Sequence, residues 1–377
     1  MKRIFIIGLF IFAAFASVSA QSGRKITATP TPMPKTVEET GYSESKPNNG
    51  STRIMPPNMQ KKETLQDKAQ KTTQTSDSTT DADDEVIKVE TSLITIPVSV
   101  FDRNGLYIPG LKQENFKIFE NGIEQEIAYF GTSDKPFTVV LLLDTSISAK
   151  RILPEIKQAA RAFVDQLKPQ DSVIVIEFDG DVEVLAEATN DRQTIYQAIN
   201  RANIGNGTAI YDAVDFSLRK RLRKIEGRKA IVLLTDGVDT QSFSSSYDKS
   251  IREAEEADVL IFPIHYNTLN DTLNDVQLSG GVSRRQIIND YALGRQYLQD
   301  LAASTGGTMF KAAATADGLR EAFEGIAEEL RKQYQIGYYP TETGKTGERK
   351  QIRVRINRPN LIIKARDSYI VGATSTK

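Results

Sequence analysis

Buried-type apolar runs and helically spaced apolar stripes alternate through the middle of the chain, and shorter alternating stretches flank them. Val139–Leu143 is an unbroken apolar run that stops at Asp144. Such a run predicts a strand covered on both faces, as in parallel sheets. Ile152, Ile156, Ala159, Ala160, Phe163, Val164 and Leu167 then recur at helical spacing, with Pro154 in the first turn and Pro169 past the end. Further strands are predicted at Val173–Phe178, Val182–Leu185, Ala230–Leu234, Val259–Ile264 and Thr308–Lys311. Pro263 lacks a ladder donor, so a bulge or strand end is expected there. Helical stripes fall between, at Ile210, Val214, Leu218 and Leu222, at Leu298–Ala303 before Gly306-Gly307, and at Leu319, Phe323, Ile326 and Leu330. Alternation of this kind implies a doubly wound α/β fold with a mostly parallel sheet.

The flanks follow a period of two. Val86–Val89, Leu93–Val100 and Phe116–Glu120 alternate and are rich in β-branched residues, with Asn104-Gly105 and Asn121-Gly122 as turns. These strands are too few to close alone. Gln335–Tyr339, Lys350–Ile356 and Leu361–Ala365 lie at the far end. They are expected to complete one small antiparallel β-sandwich, which makes the α/β region an insertion. Two separate β pieces are the alternative.

Lys2 and Arg3 precede the apolar run Ile4–Phe15, and Val18-Ser19-Ala20 offers a cleavage position. This predicts a signal peptide cut after Ala20, since the run is short for a bilayer span. No later segment approaches membrane length, so an exported chain, periplasmic or extracellular, is expected. Gln21–Asp84 is rich in Thr, Ser, Pro, Lys, Asp and Gln and reads as a disordered tether. The expected division is a signal peptide (1–20), a linker (21–84), a first β segment (85–135), the α/β domain (136–333), a second β segment (334–372) and a tail (373–377). The net charge of −1 gives no global field for nucleic acid or an anionic membrane. The chain has no cysteine, which excludes disulfides, thiolate metal sites and cysteine nucleophiles.

The candidate chemistry is made of oxygen. Asp144-Thr145-Ser146-Ile147-Ser148 follows the first strand, Ile204-Gly205-Asn206-Gly207-Thr208 precedes a helix, and Thr235-Asp236-Gly237 follows the fourth strand. Each has an ordinary reading by itself: Asp and Ser cap helices, Thr208 suits a cap, and Asp236-Gly237 suits a turn. Together, at the carboxyl ends of an open α/β sheet, Asp144, Ser146, Ser148, Thr208 and Asp236 form a hard, weakly charged ligand set. Such a set suits Mg²⁺ or Mn²⁺ better than zinc. Asp179 is read as a turn residue and Asp239 as solvated.

The DTSIS, GNGTA and TDG stretches, in this order on an alternating frame, resemble the von Willebrand factor type A domain over about residues 136–332. The resemblance implies a Rossmann-like fold with a metal-ion-dependent adhesion site. It places Ser146, Ser148 and Thr208 directly on the cation, with Asp144 and Asp236 holding it through water or as outer acceptors. IPVSVFDRNGLYIPGLKQENFKIFENGIEQEI and ELRKQYQIGYYP resemble the flanks of exported von Willebrand A-like proteins described from Acidobacteria.

Enzymatic machinery is sparse, and no enzyme is expected. His265 is the sole histidine, at the end of the fifth strand and placed near neither acidic loop by its sheet-edge position. Gly205-Asn206-Gly207 lacks the Gly-Lys-Ser/Thr of a nucleotide loop. A protein partner presenting an Asp or Glu carboxylate to the open cation position explains the inventory better. The second expectation is an envelope assembly module in which the metal only stabilises the fold. Specificity is expected in loops such as Asn267–Arg285, and the resemblance alone offers a shift of the last helix, Asp317–Lys332, as a gate, with its motion left open by the sequence.

Overall fold

The computed structural model describes residues 41–46, 93–132, 135–279 and 283–372. In chain order it begins with strands β1 (Ser43–Glu44), β2 (Ile94–Phe101), β3 (Phe116–Glu120), β4 (Ile123–Gln125), β5 (Ile127–Thr132) and β6 (Phe137–Asp144). Helix α1 (Leu153–Gln166), β7 (Ser172–Phe178), β8 (Val182–Thr189), α2 (Arg192–Arg201), α3 (Ile210–Phe216) and β9 (Arg228–Thr235) follow. Next are α4 (Tyr247–Glu256), β10 (Leu260–Tyr266), α5 (Leu269–Ser279), α6 (Arg284–Thr305), β11 (Phe310–Ala312) and α7 (Ala316–Arg331). The chain closes with β12 (Tyr334–Tyr338), β13 (Arg349–Ile356), β14 (Ile362–Lys364) and β15 (Ser368–Ile370). The expected leader, the strand at Val86–Val89 and most of the linker lie outside the described residues.

The central sheet has the order β11-β10-β9-β6-β7-β8, parallel except for the edge strand β8. Its strands are buried on both faces because their side chains alternate between two cores. Val139, Leu141 and Leu143 pack toward α1, α2 and α7, whereas Val140 and Leu142 pack toward α3, α4 and α6. The chain leaves β6 first to β7 on one side and later to β9 on the other, so strand order reverses beside β6. Open α/β sheets form their crevice at such a point.

Two antiparallel sheets flank this domain, and each mixes strands from both ends of the chain. One runs β14-β2-β12-β5; the other runs β1-β13-β3-β4, with β15 also on β13. Val98, Ile118, Ile336 and Val354 share one apolar core. Asn121 and Gly122, at φ +48° and +87°, make the tight β3–β4 turn expected of Asn-Gly. The described residues belong to one compact unit. Buried Arg366 donates to the carbonyls of Glu255 and Ser368, and Lys364 Nζ reaches buried Glu329 at 3.2 Å, tying the flank to the central domain.

Several expectations are corrected. Residues 43–44, assigned to a disordered linker, form β1 against β13, because Ser43 and Ser45 satisfy backbone groups there. Pro263 lies inside β10 without a bulge and stays in register with Leu233. Ile261, two residues earlier, turns its N–H away from β9 to Thr305 Oγ1, so Pro263 faces the same side, where pairing with β11 begins only at Ile264. No ladder donor is needed there. The Asn267–Arg285 segment is largely helical in α5 rather than a loop, with Asn267 Oδ1 accepting from Leu269 N at its start. Among the described residues no helix is long and apolar enough to cross a membrane.

Candidate metal centre

The first ligand loop begins where β6 ends. Asp144 is fully buried; its Oδ1 accepts from Ser146 N at 2.9 Å and its Oδ2 from Thr235 Oγ1 at 2.6 Å. That turn sets Ser146 Oγ 3.1 Å from Ser148 Oγ, so the two hydroxyls share one side of the loop. Ser146 has extended backbone and starts a helical turn over Ile147–Arg151 without capping it through its side chain. The cap role that an Asp-x-Ser-x-Ser sequence allows is therefore not used, and both serine oxygens stay at the loop.

The second loop joins α2 to α3 and does not follow a strand, contrary to its expected position. Hydrogen bonds hold it between the other two. Gly205 N donates to Thr145 O at 2.9 Å, and Thr208 O accepts from Thr240 N and Gln241 N at 2.9 and 3.0 Å. Asp179 braces it, accepting from Asn206 N at 3.0 Å as well as closing its own turn through Asp181 N at 2.8 Å. Glycine is required at two positions. A Cβ on Gly205 would lie 1.3 Å from Asp179 Oδ2, and Gly207, at φ +79°, lies under the Gln241 side chain. Thr208 itself is buried.

The third loop follows β9. Asp236 Oδ1 accepts from Val238 N at 3.2 Å, and Oδ2 from Thr268 Oγ1 at 2.6 Å and Tyr291 OH at 3.2 Å. Tyr291 OH also meets Thr272 Oγ1 at 2.7 Å, so α5 and α6 are joined to this carboxylate. Gly237 has φ +88° and abuts Gly294 of α6, where a Cβ on Gly294 would lie 2.3 Å from Gly237 O. Asp239 is not solvated as expected: it accepts from Ser242 N at 3.2 Å and Tyr211 N at 3.4 Å and locks the loop to α3.

The electrostatics follow from this packing. Burial, and next the neighbouring Asp236 carboxylate, push the Asp144 carboxyl up to about 7, against hydrogen bonds from Ser146 and Thr235. Two buried carboxylates facing one another ask for a counter-charge. Among the described residues no three of His, Cys, Asp and Glu cluster as a metal cage. The donor set here is of another kind, two carboxylates with neutral hydroxyls. It fits a hard divalent cation held partly through water, and a buried, unpartnered Tyr266 hydroxyl stands beside both acids.

The sequence reading missed Thr235, Thr268, Tyr291, Thr272 and Gly294. Of these only Thr235 carried a local signal, a hydroxyl at the end of a buried strand beside Asp236. Burial holds the His265 imidazole below its usual value and so neutral, with Asp236 acting the other way. His265 pairs in register with Thr235, which places it nearer the third loop than expected.

A doubly wound α/β domain with carboxylate and hydroxyl side chains on the loops after β6 and β9 and on the α2–α3 loop is the arrangement found. Residues 138–294 match the family model of the von Willebrand factor type A domain. No curated protein matches the chain. The solved structures it resembles include the von Willebrand domain of the type V pili tip protein Mfa5 from Porphyromonas gingivalis, at 15% identity and TM-score 0.41, covering 52% of this chain and 95% of that one. Proximal thread matrix protein 1 from the mussel byssus, with a zinc-occupied MIDAS motif, aligns at 17% identity and TM-score 0.41, covering 55% of this chain and 48% of that one. This chain thus spans about half the length of the mussel protein. A von Willebrand factor type A protein from Catenulispora acidiphila aligns at 12% identity and TM-score 0.42, covering 72% and 73%.

Proposed function

We propose that this protein is an exported, divalent-cation-dependent protein-binding module. Ser146, Ser148 and Thr208 hold Mg²⁺ or Mn²⁺ through their hydroxyls, and Asp144 and Asp236 hold it through water or as outer acceptors. An open coordination position takes an Asp or Glu carboxylate of a protein partner. The observation that carries the reading is the Asp144–Asp236 pair, two buried acids: burial first, and next the Asp236 charge, raise Asp144, and a cation offsets both. With few charged ligands the cation stays electrophilic toward a partner's acid.

The surface around the loops supports binding rather than turnover. Ile147 is 60% exposed between the two serines, and Phe243 is 95% exposed on the third loop. The backbone at Phe243 is anchored, since Asp212 Oδ2 accepts from Phe243 N at 2.8 Å and from Ser244 N at 3.1 Å. A cleft of about 440 Å³ runs from Ser148 past Lys150 and Arg151 to Asp271, Thr272 and Asp275. Apolar anchors on a fixed loop suit a protein interface. The reading is of a binding module, and burial, which keeps the His265 imidazole neutral, is in keeping with a structural role for it.

The experiment is a Mg²⁺ titration followed by capture of envelope or culture proteins in Mg²⁺ against EDTA. Asp144→Ala with Ser146→Ala abolishes both metal binding and capture; intact binding by that variant overturns the assignment. The same buried acid pair also favours a second reading, in which the metal only stabilises an assembly module. EDTA separates the two: lost capture at unchanged melting supports binding, and lowered melting without a capture effect supports the structural role.

A further inference from the structure

Beside the third loop lies a polar group that the protein does not satisfy. Tyr266 is the last residue of β10, one position beyond the His265–Thr235 pair, which sets it level with Asp236. Its side chain is fully buried, yet its hydroxyl has no hydrogen-bond partner among the protein atoms. The other buried atoms without a hydrogen bond among the described residues belong to side chains that are only half-buried, such as Glu155 and Arg192, and Asp215 Oδ1 among them lies 3.9 Å from Arg219 and Lys249. Buried phenols ordinarily find a partner, so this exception calls for a reason.

Packing does not supply it. The ring lies in the core shared by Phe262, Ile264 and Phe323, where a phenylalanine would fill the same space. The hydroxyl does feel both acids: burial first, then Asp144 and Asp236, oppose its ionisation. Those carboxylates are already engaged, Asp144 by Ser146 N and Thr235 Oγ1, Asp236 by Val238 N, Thr268 and Tyr291. Mg²⁺ gives up its waters reluctantly, and each bound water brings two protons that need acceptors. A neutral phenol oxygen at this place accepts one.

We propose that the Tyr266 hydroxyl hydrogen-bonds a water of the cation's coordination shell and is a positioning residue of the candidate centre. The proposal rests on the metal reading above. It sets apart two effects of removing the hydroxyl. Without metal, loss of an unsatisfied buried group does no harm; with metal, the shell loses a support.

The test uses the full chain and its Tyr266→Phe variant, with Mg²⁺ alone as the probe in calorimetric titration and with thermal melting in EDTA. The variant is expected to melt in EDTA at the wild-type temperature or above it, and to bind Mg²⁺ about tenfold more weakly. Affinity within about twofold of wild type overturns the proposal, as does a metal-free melting point several degrees lower, which would reveal a protein partner for the hydroxyl. Failure of the wild-type chain to bind Mg²⁺ removes the metal reading and this inference with it. Equal binding by both proteins removes only the role of Tyr266.

Discussion

Thr235 Oγ1 donates to Asp144 Oδ2 at 2.6 Å, joining the ends of the adjacent parallel strands β9 and β6 with both residues buried. The same hydroxyl oxygen accepts from Gly237 N at 2.9 Å, so one side chain links the first loop's acid to the third loop's backbone. Thr235→Val keeps the shape and strips both hydrogen bonds, leaving a buried carboxylate oxygen and an N–H unpaired. Urea unfolding is expected to show a loss of about 2–3 kcal/mol, with weaker Mg²⁺ binding. An unchanged urea midpoint would count against this hydroxyl as the link.

Asp144 sets a pH dependence for the metal-free protein. Its carboxyl, pushed up to about 7 mainly by burial and next by Asp236, is raised above the usual 3.8 of an aspartate. A raised acid favours the protonated form in the fold. Its contribution is therefore full below the unfolded value and is lost as pH rises through about 7. In EDTA, the urea midpoint is expected to fall between about pH 4 and pH 7 by the equivalent of a few kcal/mol. Saturating Mg²⁺, which binds the ionised acid, flattens the slope, and Asp144→Asn removes it. A flat profile for the wild-type protein in EDTA would sink the argument.

The central architecture was legible because its signals are local. An unbroken apolar run such as Val139–Leu143, of strand length and ended by Asp144, reads as a doubly covered strand, and the oxygen-bearing stretches at Asp144, Thr208 and Asp236 stand out against apolar neighbours. The parts that were not legible depend on tertiary proximity. Thr268 and Tyr291 reach Asp236 from segments far along the chain, and neither has an unusual sequence setting. Pro263 misled because the ladder rule assumes a partner on both sides, and here β11 begins one residue later. Residues 43–45 were lost in a polar stretch, since their pairing rests on serine hydroxyls rather than on an apolar pattern.

The β1 segment gives a prediction independent of metal. Ser45 N donates to Val354 O at 2.8 Å and Ser45 Oγ accepts from Val354 N at 3.0 Å, while Ser43 Oγ accepts from Leu361 N at 2.9 Å. Arg355 meets Glu44 at 2.7 Å through Nε and lies 4.1 Å from the centre of the Tyr42 ring. Ser45→Ala strands the Val354 N–H and is expected to cost about 1 kcal/mol. Deleting residues 1–46 removes the whole strand and should cost about 2–3 kcal/mol. Mg²⁺ affinity should stay the same in both. A deletion that leaves the denaturation curve unmoved would show that β1 adds nothing to the fold.

Gly294 supplies the sharpest steric test of how α6 serves the third loop. It lies mid-helix, where glycine ordinarily costs about 1 kcal/mol relative to alanine, so Gly294→Ala on an open helix face would stabilise. Here the sign reverses. The added Cβ would lie 2.3 Å from Gly237 O, 2.5 Å from Gly237 C and 3.1 Å from Val238 N, all backbone atoms that cannot rotate away. Gly237 is itself held at φ +88°, so relief comes only by moving α6 or the loop. Either motion carries Tyr291, one turn earlier on α6, away from Asp236 Oδ2. Gly294→Ala is expected to destabilise by about 1–3 kcal/mol in chemical denaturation and to weaken Mg²⁺ binding in the same titration. Gly227→Ala, at an open position with φ +83°, serves as the control: it strains the backbone but should leave metal affinity alone. A Gly294→Ala protein as stable as the wild type would mean that helix and loop separate freely, and Asp236 would then owe its position to Val238 N and Thr268 without Tyr291.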